Sequence, residues 1–285
     1  FFFNFDKLKL ENVICKGLNI KCSIQGKIKY SFAPSPRIKF KNFIIQDFVD
    51  KDIILGKVND VAIKLSFYNL FNKEKLNFTK ILLEDAEINF NLKNLDAYNK
   101  LYEKTFYSKP INLKKGEINF SDGTKHITTI NDLNFNYKFS NSTAEMILKG
   151  GFLGDKIYIN LENKKSDKNP SKIFILKLPA LKLLTKIEMP NSELGKNTIG
   201  GNVLFKKGKN RTIGTFNYNY KDKKIVFKQA NLRNDFLDGK FNGEIEFSPY
   251  FDFNLNIDLN SVNFNRLYSS LVNLSDKNKK NLFKI

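Results

Sequence analysis

Apolar and polar residues alternate along much of this 285-residue chain. Residues 251–259 read Phe-Asp-Phe-Asn-Leu-Asn-Ile-Asp-Leu, so every odd position is apolar and every even position is Asp or Asn. In a β-strand, successive side chains point to opposite faces of the sheet. The same period recurs at 61–67, 88–92, 133–139, 157–161, 216–220 and 241–247. The pattern predicts a sheet with one extensive apolar face.

Turn-forming residues divide the chain into a dozen or more predicted strands. Gly, Asn, Asp and Ser clusters separate the alternating segments, and no regular succession of strand, helix and strand is visible. An antiparallel all-β fold is therefore favoured. Because an open antiparallel sheet of this size must curl, we expect a long, strongly curled sheet that forms a hydrophobic groove, with a few short helices.

Five segments suggest helix, and one polar stretch suggests a boundary. The helical segments are 5–15, 68–72, 95–107, 179–188 and 264–274. The most polar stretch is 163–171, Asn-Lys-Lys-Ser-Asp-Lys-Asn-Pro-Ser. We predict an N-terminal β-groove region over 1–162, a polar loop or linker over 163–171, and a continuing β-repeat region with a C-terminal helix over 172–285.

The chain carries a formal net charge of +19, from 48 Lys and Arg against 29 Asp and Glu. Such a charge raises nucleic acid or an anionic membrane as a partner. The densest basic clusters lie at predicted turns or in the tail: Lys206/Lys207/Lys209/Arg211, Lys221/Lys223/Lys224 and Lys277/Lys279/Lys280. A solvated, compositionally biased surface is the first interpretation, and a dedicated anionic site is the second. Attraction to anionic lipid head groups is compatible with both.

Residues that commonly carry catalysis are sparse. The single histidine, His126, is predicted to be an exposed strand residue with no chemical role, which argues against Ser-His-Asp catalysis and multi-His metal binding. Cys15 and Cys22 lack metal-ligand spacing and are either free or joined by one local bridge. The pairs Gly150–Gly151 and Gly200–Gly201 indicate turns or bulges, not a phosphate loop. The sequence predicts a protein that is not an enzyme and has no cofactor or metal.

The ends of the sequence carry an expectation about targeting. No stretch approaches the roughly 18 to 20 apolar residues that a membrane-spanning helix needs. The chain nevertheless opens with Phe1-Phe2-Phe3-Asn4-Phe5 and no Met. We interpret this start as the trailing edge of a removed N-terminal membrane helix or signal.

Several motifs, taken in order along nearly the whole chain, resemble those of the AsmA-like family. A short strand and a Pro-Ser-Pro kink precede a strand ending in Asn-Phe, and a Leu-Ser turn, a Gly-x-Ile-x-Phe-x-Asp hairpin and Gly-rich strands follow. These motifs are Ile24–Ile28, Phe32–Phe43, Val58–Leu70, Lys115–Asp122, Ile130–Asn134 and Asp238–Leu259.

The resemblance implies an inner-membrane-anchored protein with its bulk in the periplasm of a Gram-negative envelope. Its groove is then expected to carry phospholipid or another membrane lipid toward the outer membrane. The aromatic residues occupy the same alternate positions as Ile and Leu and do not form an isolated stacking platform, which argues against a nucleic acid partner. Any envelope protein partner stays unidentified. The sequence departs from the family pattern because it lacks the N-terminal membrane helix and is short.

The leading hypothesis is a groove in which lipid acyl chains lie on the apolar positions of the strands. The residues predicted to line it are Phe135, Tyr137, Phe216, Tyr218, Phe241, Ile245, Phe247, Phe253, Leu255 and Ile257. The alternative is a non-enzymatic structural or adhesive β-domain whose apolar face is sealed in a core. A fragment of an outer-membrane barrel is disfavoured because such barrels leave no place for the predicted helices at 95–107 and 264–274.

Overall fold

The computed structural model describes residues 7–17, 21–47, 49, 53–67, 78–94, 109–140, 143–164, 171–190, 193–195, 198–208, 210–219, 224–233, 236–246 and 252–269. Within these residues the protein is all-β, with seventeen strands in mixed but mostly antiparallel pairings and only short helices. The predicted all-β class is confirmed. None of the helices in the described part is long and apolar enough to cross a bilayer.

Two compact units make up the chain. Unit 1 comprises Phe1–Asn160 and unit 2 comprises Leu161–Ile285. The strand that contains the boundary is β9 (Asp155–Lys164). Of the stretch predicted as a linker, Asn163 and Lys164 belong to β9 and Ser171 begins the next strand, while 165–170 lie outside the described residues.

Unit 1 begins with helix α1 (Lys7–Gly17), which confirms the helix predicted near 5–15. Its strands are β1 (Cys22–Ile24), β2 (Lys29–Ser31), β3 (Arg37–Gln46), β4 (Ile54–Leu65), β5 (Phe78–Asn91), β6 (Ile111–Asp122), β7 (Lys125–Ser140) and β8 (Thr143–Phe152). Strands β1 and β2 both pair with β3, and β4 to β8 follow in chain order.

One strand pair corrects the prediction of a purely antiparallel sheet, because β5 and β6 are parallel. Parallel neighbours need a crossover of a dozen or more residues. A 3-10 helix, Leu92–Asn94, begins this connection. The helices predicted at 95–107 and at 68–72 lie outside the described residues.

One face of the unit 1 sheet is a closed core. Ile38, Ile63 and Leu133 are at most 1% exposed. Helix α1 contributes the buried side chains of Leu10 and Ile14. A disulfide joins Cys15 of the helix to Cys22 of β1, and the Glu11 carboxylate accepts a hydrogen bond from the Ile24 backbone N–H at 2.6 Å. These bonds attach the helix to the edge of the sheet.

A row of irregular positions crosses this sheet. Asn42, Asp85, Lys115 and Asp132, on β3, β5, β6 and β7, have backbone φ angles of 53°, 58°, 54° and 47°. The left-handed region is unfavourable for residues with a side chain, least so for Asn and Asp. The strand register brings the four positions into one transverse line.

The row shifts which residues face the core. Instead of alternating, buried side chains lie three apart: Phe40 with Phe43, Val58 with Val61, and Ile130 with Leu133. Each pair is separated by two polar residues. An irregularity of this kind bends a strand and increases its twist. Along this line, in the five neighbouring strands β3 to β7, the set of alternate residues that faces the core therefore changes.

Unit 2 is an antiparallel meander. Its strands are β10 (Ser171–Leu178), β11 (Leu183–Pro190), β12 (Glu193–Gly195), β13 (Thr198–Lys207), β14 (Asn210–Asn219), β15 (Lys224–Arg233), β16 (Leu237–Glu246) and β17 (Asp252–Val262). Each pairs with the next in chain order, except that β13 pairs with both β11 and the three-residue β12.

The helix predicted over 179–188 is wrong. Its second half belongs to β11, where Leu183, Thr185 and Ile187 occupy alternate positions between β10 and β13. A short apolar run is compatible with both the helical and the strand period. This segment is a strand because it pairs with β10 on one side and with β13 on the other. Of the helix predicted over 264–274, residues 264–269 are helical and 270–274 lie outside the described residues. Asn263 Oδ1 accepts a hydrogen bond from the Arg266 N–H at 3.2 Å, as an N-cap residue does.

The turn between β8 and β9 offers a test of local strain. Leu153 and Gly154 both have positive φ, 49° and 79°, and Leu153 is 80% exposed. A two-residue hairpin turn in which both residues have positive φ prefers the sequence Asn-Gly. Leu153→Asn should raise the free energy of unfolding by about 1 kcal/mol, measured by urea denaturation. Leu181→Asn removes another exposed leucine from a turn without relieving a positive φ, so an equal gain there would contradict the explanation.

Candidate functional site

The apolar positions of unit 2 lie together on one side of its sheet. In antiparallel pairs, residues directly opposite each other share a face. Phe241 is opposite Ile257, and Ile245 is opposite Phe253. On the next strand, Ile225 is opposite Ile245 and Tyr218. The same relation continues from β17 back to β13.

We call the resulting surface the apolar face. Its members on β13 to β17 are Val203, Phe205, Phe216, Tyr218, Ile225, Phe227, Leu232, Phe241, Ile245, Phe253, Leu255, Ile257 and Leu259. The intervening positions of β17 are Asn254, Asn256 and Asp258, on the opposite side. The strict alternation seen in the sequence therefore corresponds to a real separation of apolar and polar faces.

The apolar face is open at its β17 end. Phe253 is 61% exposed, Ile257 55% and Leu259 46%. In the unit 1 core, by contrast, Phe40 is only 2% exposed. Clusters of large exposed apolar side chains often mark a binding surface, whereas single exposed apolar residues do not. The apolar side chains of unit 2 are thus exposed at β17, whereas those of the unit 1 core are buried.

The middle of the apolar face is more tightly packed. The Phe216 ring lies over Gly201 of the neighbouring strand, so that a methyl group at Gly201 would lie 2.9 Å from Phe216 Cζ. Phe216 is consequently buried, although its strand neighbours are half-buried or exposed. The rings of Phe227 and Phe241 lie with their centroids 5.3 Å apart. Aromatic side chains of adjacent strands thus form a continuous floor.

The predicted lining residues have three fates. Phe216, Tyr218, Phe241, Ile245, Phe253, Leu255 and Ile257 all belong to the apolar face. Phe135 and Tyr137 belong to unit 1, on β7, where Phe135 is half-buried and Tyr137 is a core residue at 1% exposure. Burial raises the pKa of the Tyr137 hydroxyl. Phe247 lies outside the described residues.

Sequence reasoning missed the contribution of β15. Ile225, Phe227 and Leu232 lie on the apolar face, but the register shifts between Phe227 and Ala230. That shift places two residues where strict alternation allows one, so the period is lost in the sequence. The available signal was the match of Ile225 and Phe227 to the alternating residues of β14 and β16.

The histidine belongs to a hydrogen-bonded chain on an exposed surface. His126 Nε2 lies 2.9 Å from Thr129 Oγ1, and the Thr129 hydroxyl donates to Asn119 Oδ1 at 2.7 Å. Because that hydroxyl has one proton, the imidazole N–H donates to Thr129. His126 is therefore tied by hydrogen bonds to side chains of β6 and β7.

Several acidic side chains on the surface form ion pairs. Lys115 Nζ lies 2.8 Å from Glu84 Oε1, and its hydrogen bond and charge hold the pKa of Glu84 below its usual range. A general acid needs the opposite shift. Over the part of the chain that the structure describes, no group of three or more His, Cys, Asp or Glu side chains could hold a metal ion.

No protein-family model matches the sequence, and no curated protein sequence matches it. The AsmA-like resemblance therefore rests on the motifs quoted above.

Proposed function

We propose that the apolar face of unit 2 binds the acyl chains of membrane lipids and that the protein is a non-enzymatic lipid-transfer protein of the AsmA-like type. Its ligand is phospholipid or another membrane lipid. One observation carries the proposal: an apolar surface of five strands whose outermost side chains, Phe253 and Ile257, are more than half exposed.

Apolar burial alone supplies the binding free energy in this proposal. Each acyl methylene removed from water contributes roughly 0.8 kcal/mol. The hydrophobic effect is non-directional, so a lipid tail needs no fixed polar group to be held. A site of this kind leaves no short catalytic or ligand motif in the sequence, in agreement with the sparse chemistry of this chain.

The disulfide supports an extracytoplasmic location. Cys15 and Cys22 are bonded to each other, seven residues apart in sequence. Disulfides persist in oxidising compartments such as the bacterial periplasm and are rare in the cytosol. The proposal therefore places the protein in the periplasm, anchored to the inner membrane in its full-length form, where lipid carried on the apolar face would support outer-membrane assembly.

A second candidate function is a structural or adhesive β-domain. The closed core of unit 1, with Ile38 and Tyr137 at most 1% exposed, favours it. This candidate predicts that the protein carries no lipid and that the apolar face meets another protein surface. The two functions differ in one measurable property, which is the uptake of lipid.

The test compares adjacent residues of β17 on opposite faces. Ile257→Asp places a carboxylate against the acyl chain, where its desolvation is unfavourable. Asn256→Asp adds the same charge on the polar face. We expect lipid that co-purifies with the protein, measured by mass spectrometry, to fall at least about ten-fold in Ile257→Asp and to be unchanged in Asn256→Asp. Because Ile257 is 55% exposed, the variant should fold normally.

Three results would contradict the proposal. Wild-type protein that is folded, carries no lipid and takes none from vesicles would favour the structural domain. An Ile257→Asp variant that unfolds, judged by its thermal melt, would show that the position is part of a sealed core. Retained lipid in a folded Ile257→Asp variant would place the lipid elsewhere on the molecule.

A further inference from the structure

Two hairpin turns of unit 2 lie side by side at one end of its strands. Strand β13 pairs with β11 directly, so the turn before β11 adjoins the turn after β13. The Gly208 N–H donates to the Lys182 carbonyl at 3.0 Å and joins the two turns. We call Leu181, Lys182, Lys206, Lys207 and Arg211 the basic tip.

The charges of the basic tip are arranged unfavourably for the fold alone. Lys206 is directly opposite Arg211 in the β13–β14 pair. Like charges in opposite positions destabilise a strand pair. Among the described residues, none forms an ion pair with Lys182, Lys206, Lys207 or Arg211. The sequence adds Lys209 between them. A local conflict of this kind is expected where a charged ligand resolves it.

Charged residues at the opposite end of the same strands are arranged differently. There Lys224 Nζ lies 2.6 Å from Glu244 Oε1, and Lys164 Nζ lies 3.3 Å from Glu162 Oε1. These lysines are balanced by carboxylates within the protein. Lys164 and Lys224 are thus paired with carboxylates, whereas no described residue forms an ion pair with the four charged side chains of the basic tip.

Exposed apolar side chains accompany the charges. Leu181 is 57% exposed at the turn, and Phe205 and Ile213, next to the charged positions, are 40% and 39% exposed. Basic residues around exposed leucine and phenylalanine are typical of segments that lie in a membrane interface. A nucleic acid surface would use the lysines and arginine but would offer nothing to Leu181.

We propose that the basic tip docks on the surface of a bilayer that contains anionic lipids, with Lys206, Lys207 and Arg211 against the head-group phosphates and Leu181 inserted among them. The proposal rests on the proposed function, because docking would bring one edge of the apolar face to a membrane that donates or receives acyl chains. Each Lys or Arg close to an anionic surface strengthens binding about five-fold.

The experiment uses the full chain and two kinds of vesicle, one of phosphatidylcholine alone and one of phosphatidylcholine and phosphatidylglycerol in equal parts. Sedimentation should show binding to the anionic vesicles only. The triple variant Lys206→Gln/Lys207→Gln/Arg211→Gln should weaken that binding about 100-fold. A second triple variant, Lys164→Gln/Lys172→Gln/Lys224→Gln, changes the net charge equally at the opposite end of the strands and should change binding less than about five-fold. Equal losses would show that net charge alone attracts the membrane and would overturn the proposal.

Insertion of the tip can be followed separately because the chain contains no Trp. Leu181→Trp introduces a single fluorophore at the turn. Its emission should shift to shorter wavelength with the anionic vesicles and remain unchanged with phosphatidylcholine vesicles. An unchanged emission while the protein binds the anionic vesicles would show that the tip is not the docking surface.

Uptake of a water-soluble fluorescent fatty acid separates this proposal from the proposed function. The basic-tip triple variant should take up the fatty acid normally, whereas Ile257→Asp should lose uptake and still bind vesicles. Vesicle binding without any fatty acid uptake would retain docking and reject the lipid-binding face. If the wild-type protein binds a single-stranded oligonucleotide more tightly than it binds the anionic vesicles, and the same triple variant loses that binding, the partner is nucleic acid and docking is rejected.

Discussion

Phe40→Ala is expected to lower the free energy of unfolding of unit 1 by about 3 to 5 kcal/mol, whereas Phe253→Ala should lower that of unit 2 by less than about 1 kcal/mol. The two phenylalanines occupy apolar positions of strands in the two units. Phe40 is 2% exposed and Phe253 is 61% exposed. Truncation of a buried ring leaves a cavity, while truncation of an exposed ring removes little packing.

Urea unfolding followed by circular dichroism measures both changes, with a separate transition fitted for each unit if the two do not unfold together. The comparison decides between an open and a sealed apolar face. If Phe253→Ala costs as much as Phe40→Ala, the face of unit 2 is covered in solution and the structural domain is the better description. A small effect at Phe253 leaves that side chain available to a ligand.

The sequence predicts β14, β16 and β17 of unit 2 well because apolar and polar residues alternate in them. A shift of one residue would turn every apolar side chain of β17 to the wrong face, so the pattern specifies the register as well as the strand. Phe253, Leu255 and Ile257 are therefore placed on the face that alternation assigns to them.

The row of irregular positions in unit 1 shows where alternation is insufficient. The segments 40–43, 58–61 and 130–133 each carry two polar residues between apolar ones, which is a readable signal of a local irregularity. Their alignment across neighbouring strands follows from long-range pairing, which one segment does not encode. The parallel pairing of β5 with β6 depends on the same kind of information.

The sequence predicts only part of the basic tip. Lys206, Lys207 and Arg211 lie within six residues of one another, and this clustering indicates a possible anionic site. Leu181 and Lys182 join it because β13 returns beside β11. The helical prediction for 179–188 does not reveal this neighbour, because the pairing of β11 with β13 is a long-range contact.

Gly243→Ala should lower the free energy of unfolding of unit 2 by more than about 2 kcal/mol. Gly243 has a φ of 137°, a conformation that residues with a side chain rarely adopt. A methyl group there would collide with the Asn254 carbonyl oxygen and lie 2.9 Å from Leu255 Cα. Both atoms belong to the backbone of β17, so neither can move without displacing that strand.

The effect on lipid should follow from the same geometry. Displacement of β17 removes Phe253 and Ile257 from the apolar face, so Gly243→Ala should lose lipid uptake together with stability, while Ile257→Asp should lose uptake alone. Lys240→Ala is the matched control, because it changes an exposed side chain of the same strand and should alter the free energy of unfolding by no more than about 0.5 kcal/mol. Circular dichroism melts and fatty acid uptake, measured on the same preparations, provide both values. If Gly243→Ala is as stable as Lys240→Ala, the backbones of β16 and β17 do not approach each other as closely as the structure has them, and the outer edge of the apolar face must be built differently.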